Sequence, residues 1–64
     1  MEIKLKGQTA YVRKTRLGRW EAYMSLVNPE QLAKAVEEQV GGTVLKKLVN
    51  AHSCAVVVFT MPEA

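Results

Sequence analysis

Apolar and polar residues alternate from the start of the chain. In "IKLK", Ile3 and Leu5 share one face of a short strand. An unbroken strand from residue 3 to 15 would point Ile3 and Leu5 away from the side taken by Ala10 and Val12. Gly7 lies between them. A bulge or tight turn there removes the conflict, because glycine reaches positive φ without a Cβ clash.

The stretch Tyr11–Tyr23, "YVRKTRLGRWEAY", reads as a hairpin, and its register follows from the pattern. A two-residue turn at Leu17-Gly18 sets Arg16 against Arg19 and mixes apolar with polar groups on both faces. A three-residue loop, Arg16-Leu17-Gly18, with Gly18 left-handed in a type I turn plus bulge, does better. It pairs Thr15 with Arg19, Lys14 with Trp20, Arg13 with Glu21, Val12 with Ala22 and Tyr11 with Tyr23. One face becomes Ala10, Val12, Trp20, Ala22, Met24 and Leu26. The other carries Tyr11, Arg13, Thr15, Arg19, Glu21, Tyr23 and Ser25. Cross-strand pairs contribute roughly 0.2–1 kcal/mol each, so several agreeing pairs favour this register. Lys14 falls on the inner face near its open end, where its ammonium reaches water.

"NPEQLAKAVEEQVGG" predicts a helix. Asn28 is a good N-cap and Pro29 a good first helical residue. Gln31 stands where a capping box places Glu or Gln. Leu32, Val36 and Val40, with Ala33 beside them, make one apolar face, and Gly41 ends the helix. In "TVLKKLV" the apolar positions fit a helical stripe about as well as a strand. The β-branched residues and the apolar segment that follows favour a second hairpin through "NAHS". "CAVVVFTM" is a strand, ended by Pro62.

The expected fold is therefore α+β. A small antiparallel sheet of four to five strands carries one helix across one face, in the order β-ββ-α-ββ, as a single domain over residues 1–64. In the last strand Val56 and Val58 point one way and Val57, Phe59 and Met61 the other, yet one helix covers one face. A homodimer using the helix-free face or an edge strand is the expected cover.

Composition narrows the chemistry. The chain has 64 residues, one Cys and one His. A chain this short buries only roughly 60% of its unfolded surface, so self-association is one means of stabilising it. Cys54 has no partner for an intrachain disulfide, and a single chain cannot fill a four-ligand zinc site with His52 and Cys54. A free cysteine, an N-terminal "MEIKLKGQ" without an apolar core and an apolar run too short for a bilayer predict a cytoplasmic protein that does not enter a membrane.

Net charge is +3, distributed unevenly. Six of the nine basic residues lie in residues 1–20, against Glu2 alone, while residues 21–42 are acidic. A basic face attracts nucleic acid or an acidic protein. Candidate catalytic groups are sparse. Cys54 begins an apolar strand, where burial raises a thiol pKa, and no group is placed to orient His52. Glu37 and Glu38 are adjacent on the helix and diverge. No G-x-G-x-x-G or Walker lysine loop is present, and no cofactor or metal is expected.

Surfaces remain. Tyr11 and Tyr23 side by side, with Arg13, Arg19 and the tip residue Arg16, match sheet faces that stack bases on aromatics and hold phosphates with cations. An Arg-rich ribbon entering a duplex groove is an alternative use of the same residues. The expected function is non-enzymatic nucleic-acid binding by Tyr11, Arg13, Arg16, Arg19 and Tyr23 with Lys4 and Lys6. The alternative is a protein-interaction module docking on an acidic partner. "KTRLGRW" resembles, over a few residues, the "TGRFG" hairpins of bacterial topoisomerase C-terminal zinc ribbons. The cysteine quartet of those modules is missing, so the resemblance implies no ligand set here.

Overall fold

The computed structural model describes residues 1–62. Six strands and one helix follow in order: β1 (Lys4–Leu5), β2 (Gln8–Thr9), β3 (Tyr11–Lys14), β4 (Trp20–Ser25), α1 (Pro29–Val40), β5 (Thr43–Val49) and β6 (Cys54–Thr60). The main sheet is antiparallel with strand order β3-β4-β6-β5, and β1-β2 forms a separate two-stranded ribbon. The fold is α+β, with the helix laid against the sheet as the apolar pattern requires.

At the N-terminus the tight turn wins over the bulge. Lys6 and Gly7, both at positive φ, connect Lys4↔Thr9 and Leu5↔Gln8. The Ala10 N–H then donates to the Ile3 carbonyl at 2.7 Å, so Ile3 and Ala10 enter the same core. Gln39 ties this ribbon to the helix. Its carboxamide donates to the Lys4 carbonyl and accepts from the Lys4 N–H at 2.8 Å, as a neighbouring strand would.

The β3-β4 register is the three-residue-loop register: Tyr11↔Tyr23, Val12↔Ala22, Arg13↔Glu21 and Lys14↔Trp20. The Thr15 N–H donates to the Arg19 carbonyl, and Gly18 sits at φ 77°. The β5-β6 hairpin repeats this geometry. The Asn50 N–H donates to the Cys54 carbonyl, the Ser53 N–H donates to the Asn50 carbonyl, and Ser53 takes the left-handed position at φ 60°. Asn50 Oδ1 steadies the loop by accepting from the His52 and Cys54 N–H groups at 2.9 and 3.0 Å. Residues 43–49 are thus a strand. Their β-branched content and the partner β6 outweigh the helical stripe.

The helix begins at Asn28 and Pro29 as expected, but without the capping box, because the Gln31 N–H donates to the Asn28 backbone carbonyl at 3.0 Å and not to its side chain. Asn28 Oδ1 accepts from the Glu30 N–H at 2.8 Å, Pro29 occupies the first turn, and Gly41 closes the C-terminus at φ 69°. Leu32, Ala33, Ala35 and Val36 are buried against Ala22, Met24, Ala55, Val57 and Phe59 of the sheet.

Leu26 departs from expectation. The hairpin alternation puts it on the core face, but the chain leaves β4 at Ser25 and Leu26 adopts φ 61° with 86% exposure. Val27 packs on the core instead. The turn into the helix reverses the alternation, so the apolar residue one step later is the one directed inward.

Candidate nucleic-acid interface on the open sheet face

Residues paired across antiparallel strands share a face, so the register defines the helix-free surface row by row. One row runs Tyr11, Tyr23, Val56, Leu48; the next runs Arg13, Glu21, Val58, Lys46. Ser25 and Cys54 follow, with Ser25 Oγ and Cys54 Sγ 3.3 Å apart.

The apolar members of this face are partly sheltered without a second layer. Val56 is 5% exposed, flanked in its row by Tyr23 and Leu48, and Val58 is half-buried. Cross-strand neighbours on a twisted sheet supply that cover.

A β-bulge decides what the far edge contributes. Val44 pairs with Phe59 and Lys46 with Val58, leaving Leu45 as the extra residue. Strict alternation from the core-packed Val44 would turn Lys46 to the helix side. The bulge resets the phase, so Lys46 and Leu48 share the open face with Val58 and Val56.

Between the β3-β4 tip and β5 lies a hollow of about 570 Å³. Arg13, Arg16, Arg19 and Lys46 line it, with Glu21 the sole carboxylate of its lining among the described residues; Leu17, Leu45 and Val58 provide apolar surface. Glu21 is the hub. Its Oε1 accepts from Arg13 Nε at 2.9 Å and from the Tyr23 hydroxyl at 3.0 Å, and its side chain is only 20% exposed. Partial burial first, then the bond to Glu21 and its negative charge, hold the Tyr23 phenol above the ordinary tyrosine range.

The two tyrosines differ in availability. Their rings lie 6.0 Å apart, tilted by 43°. Tyr23 is half-buried with its hydroxyl engaged, whereas Tyr11 is 66% exposed at the edge strand. Trp20 belongs to the core side, where the Lys14 ammonium stands 5.7 Å from its ring centroid.

The fold therefore brings together Tyr11, Arg13, Arg16, Arg19 and Tyr23. Lys4 and Lys6, expected to join them, stand apart. Lys4 reaches Glu2 at 3.9 Å, and Lys6 lines a separate hollow of about 340 Å³ with Lys34 and Glu38 of the helix. Their ribbon packs against α1, so the layer that holds Ile3 and Leu5 removes both lysines from the hairpin cations. Lys46 is the residue sequence reasoning missed. Only a bulge, which no glycine marks here, places it there.

Among the described residues no cluster of His, Cys, Asp and Glu is fit to hold a metal, and no helix is long and apolar enough to cross a membrane. No protein-family model, curated protein or solved structure matches this chain.

Proposed function

We propose that this chain is a small, non-enzymatic nucleic-acid-binding protein that uses the β3-β4 hairpin side of its open sheet face. The observation that carries the reading is the gathering of three arginines and a lysine around one hollow beside an exposed tyrosine. Guanidinium groups match phosphate oxygens with paired donors, and release of counterions from the phosphates drives association. The reading places the protein in the cytoplasm, where Cys54 stays reduced.

Binding of labelled mixed-sequence DNA and RNA at low and moderate salt tests it. With Arg13 partly neutralised, about three effective phosphate contacts imply a loss of about 20-fold or more between roughly 50 and 200 mM salt. Absence of binding at low salt refutes the reading.

A second reading rests on the apolar part of the same face. Leu45 is 49% exposed and borders the same hollow as the half-buried Val58. This surface supports a homodimer or docking on a larger protein with an acidic rim. Sedimentation across a concentration series reads out the homodimer. Capture from lysate with and without nuclease separates a protein partner, which survives digestion, from one bridged by nucleic acid.

A further inference from the structure

We infer that the hollow takes a single-stranded nucleic acid, DNA or RNA, lying across the sheet between the hairpin tip and β5, with an unpaired base on Tyr11. This rests on the nucleic-acid reading above and narrows it to a substrate class.

The placement of the cations distinguishes the two ways an Arg-rich hairpin can be used. A ribbon that enters a duplex groove presents its side chains to the bases and phosphates on either side of the ribbon itself. Here Arg13, Arg16 and Arg19 border the same hollow as Lys46, which belongs to a different hairpin. The sheet order puts β4 and β6 between β3 and β5. Three strand spacings separate Arg13 from Lys46 along their row, about 14 Å of backbone. The phosphate seat is therefore a trough over the sheet with cations on both banks and Val58 on its floor beside Glu21, whose carboxylate is held by Arg13 and the Tyr23 hydroxyl.

The size of the trough agrees. About 570 Å³ is the scale of a site for one small organic ligand, room for about one or two nucleotides. Tyr11 supplies the remaining constraint. Its ring is open to solvent and its row adjoins that of Arg13, so it can meet a base while the phosphates occupy the trough. In a duplex both faces of each interior base are already stacked. Only a single strand, or a splayed base, offers a free face.

Fluorescence anisotropy with short labelled oligonucleotides tests the inference. The probes are oligo-dT, oligo-U, a mixed single strand and its blunt duplex, each at roughly 50 and 200 mM salt. Single strands are expected to bind more tightly than the duplex. Tyr11→Ala should weaken single-strand binding about 5- to 150-fold, while Tyr11→Phe preserves it. Lys46→Ala should weaken single-strand binding and reduce the slope of log K against log salt by about 0.7. Circular dichroism melts of each variant confirm that folding is retained. Equal or tighter duplex binding, or a Lys46→Ala variant indistinguishable from wild type, overturns the single-strand trough and leaves nucleic-acid binding standing. Failure of every probe at low salt overturns the underlying reading and this inference with it.

Discussion

Gly42, in the connection between α1 and β5, is packed tightly against core side chains of both helix and sheet, and replacing it with alanine measures that packing. A Cβ there would meet Phe59 Cδ2 at 2.7 Å, Val36 Cγ1 at 3.1 Å and the Thr60 carbonyl oxygen at 3.3 Å. Favourable carbon contacts lie near 3.5–4.0 Å, so the Phe59 ring must retreat by about 1 Å. It has nowhere to go, because Phe59 and Val36 are both fully buried. Overpacking of this kind costs about 1–3 kcal/mol, offset by about 0.4–1 kcal/mol from the reduced freedom of the unfolded chain. The expected net loss is about 1–2 kcal/mol. For a domain of this size that lowers Tm by roughly 5–15 °C. Thermal and urea melts followed by circular dichroism read it directly. Gly42→Ala combined with Phe59→Leu should be less destabilised than the two single changes summed, because the smaller side chain makes room for the methyl group. Because the contact is on the helix side, nucleic-acid affinity of the folded variant should be unchanged. A Gly42→Ala protein as stable as wild type, or a strictly additive double variant, refutes the packing argument.

Ser53→Gly should raise stability by about 0.5–1 kcal/mol, since a left-handed non-glycine residue costs about 1–2 kcal/mol and part of that gain is lost to glycine's unfolded-state entropy; urea midpoints check it, and no gain would show that the Ser53 side chain has a compensating role. Glu21→Gln should release Arg13 from its carboxylate, tighten single-strand binding and steepen the salt slope by about 0.7, read by the same anisotropy titrations. At alkaline pH the raised Tyr23 pKa means the folded state holds its proton more tightly than the unfolded state. The stability this contributes is complete below about pH 10 and is lost as pH rises through the folded value. Tyr23→Phe should reduce that decline, seen as a smaller difference between urea midpoints at about pH 8 and about pH 11.

Local elements were legible because their determinants are local. The three-residue loop followed from separating apolar from polar residues around Gly18, and the Arg13–Glu21 and Tyr11–Tyr23 pairs came with it. The helix followed from Asn28, Pro29, Gly41 and the four-residue spacing of Leu32, Val36 and Val40. In each case the residues that decide the structure are within a few turns or one hairpin of each other.

What the tertiary structure alone decided depends on residues distant in sequence. Strand order β3-β4-β6-β5 sets the second hairpin beside the first through β4 and β6, and no periodicity within either hairpin encodes that pairing. The bulge at Leu45 arises from fitting β5 to β6, and it turns Lys46 into the arginine hollow. Gln39 holds the Lys4 backbone to the helix across 35 residues, which separates Lys4 and Lys6 from the hairpin cations. Alternation and capping fix which face a side chain takes within its own element. Which elements become neighbours is set by the burial of Phe59, Val57, Leu32 and Val36 in one shared core, and the trough between the two hairpins exists only once that core has formed.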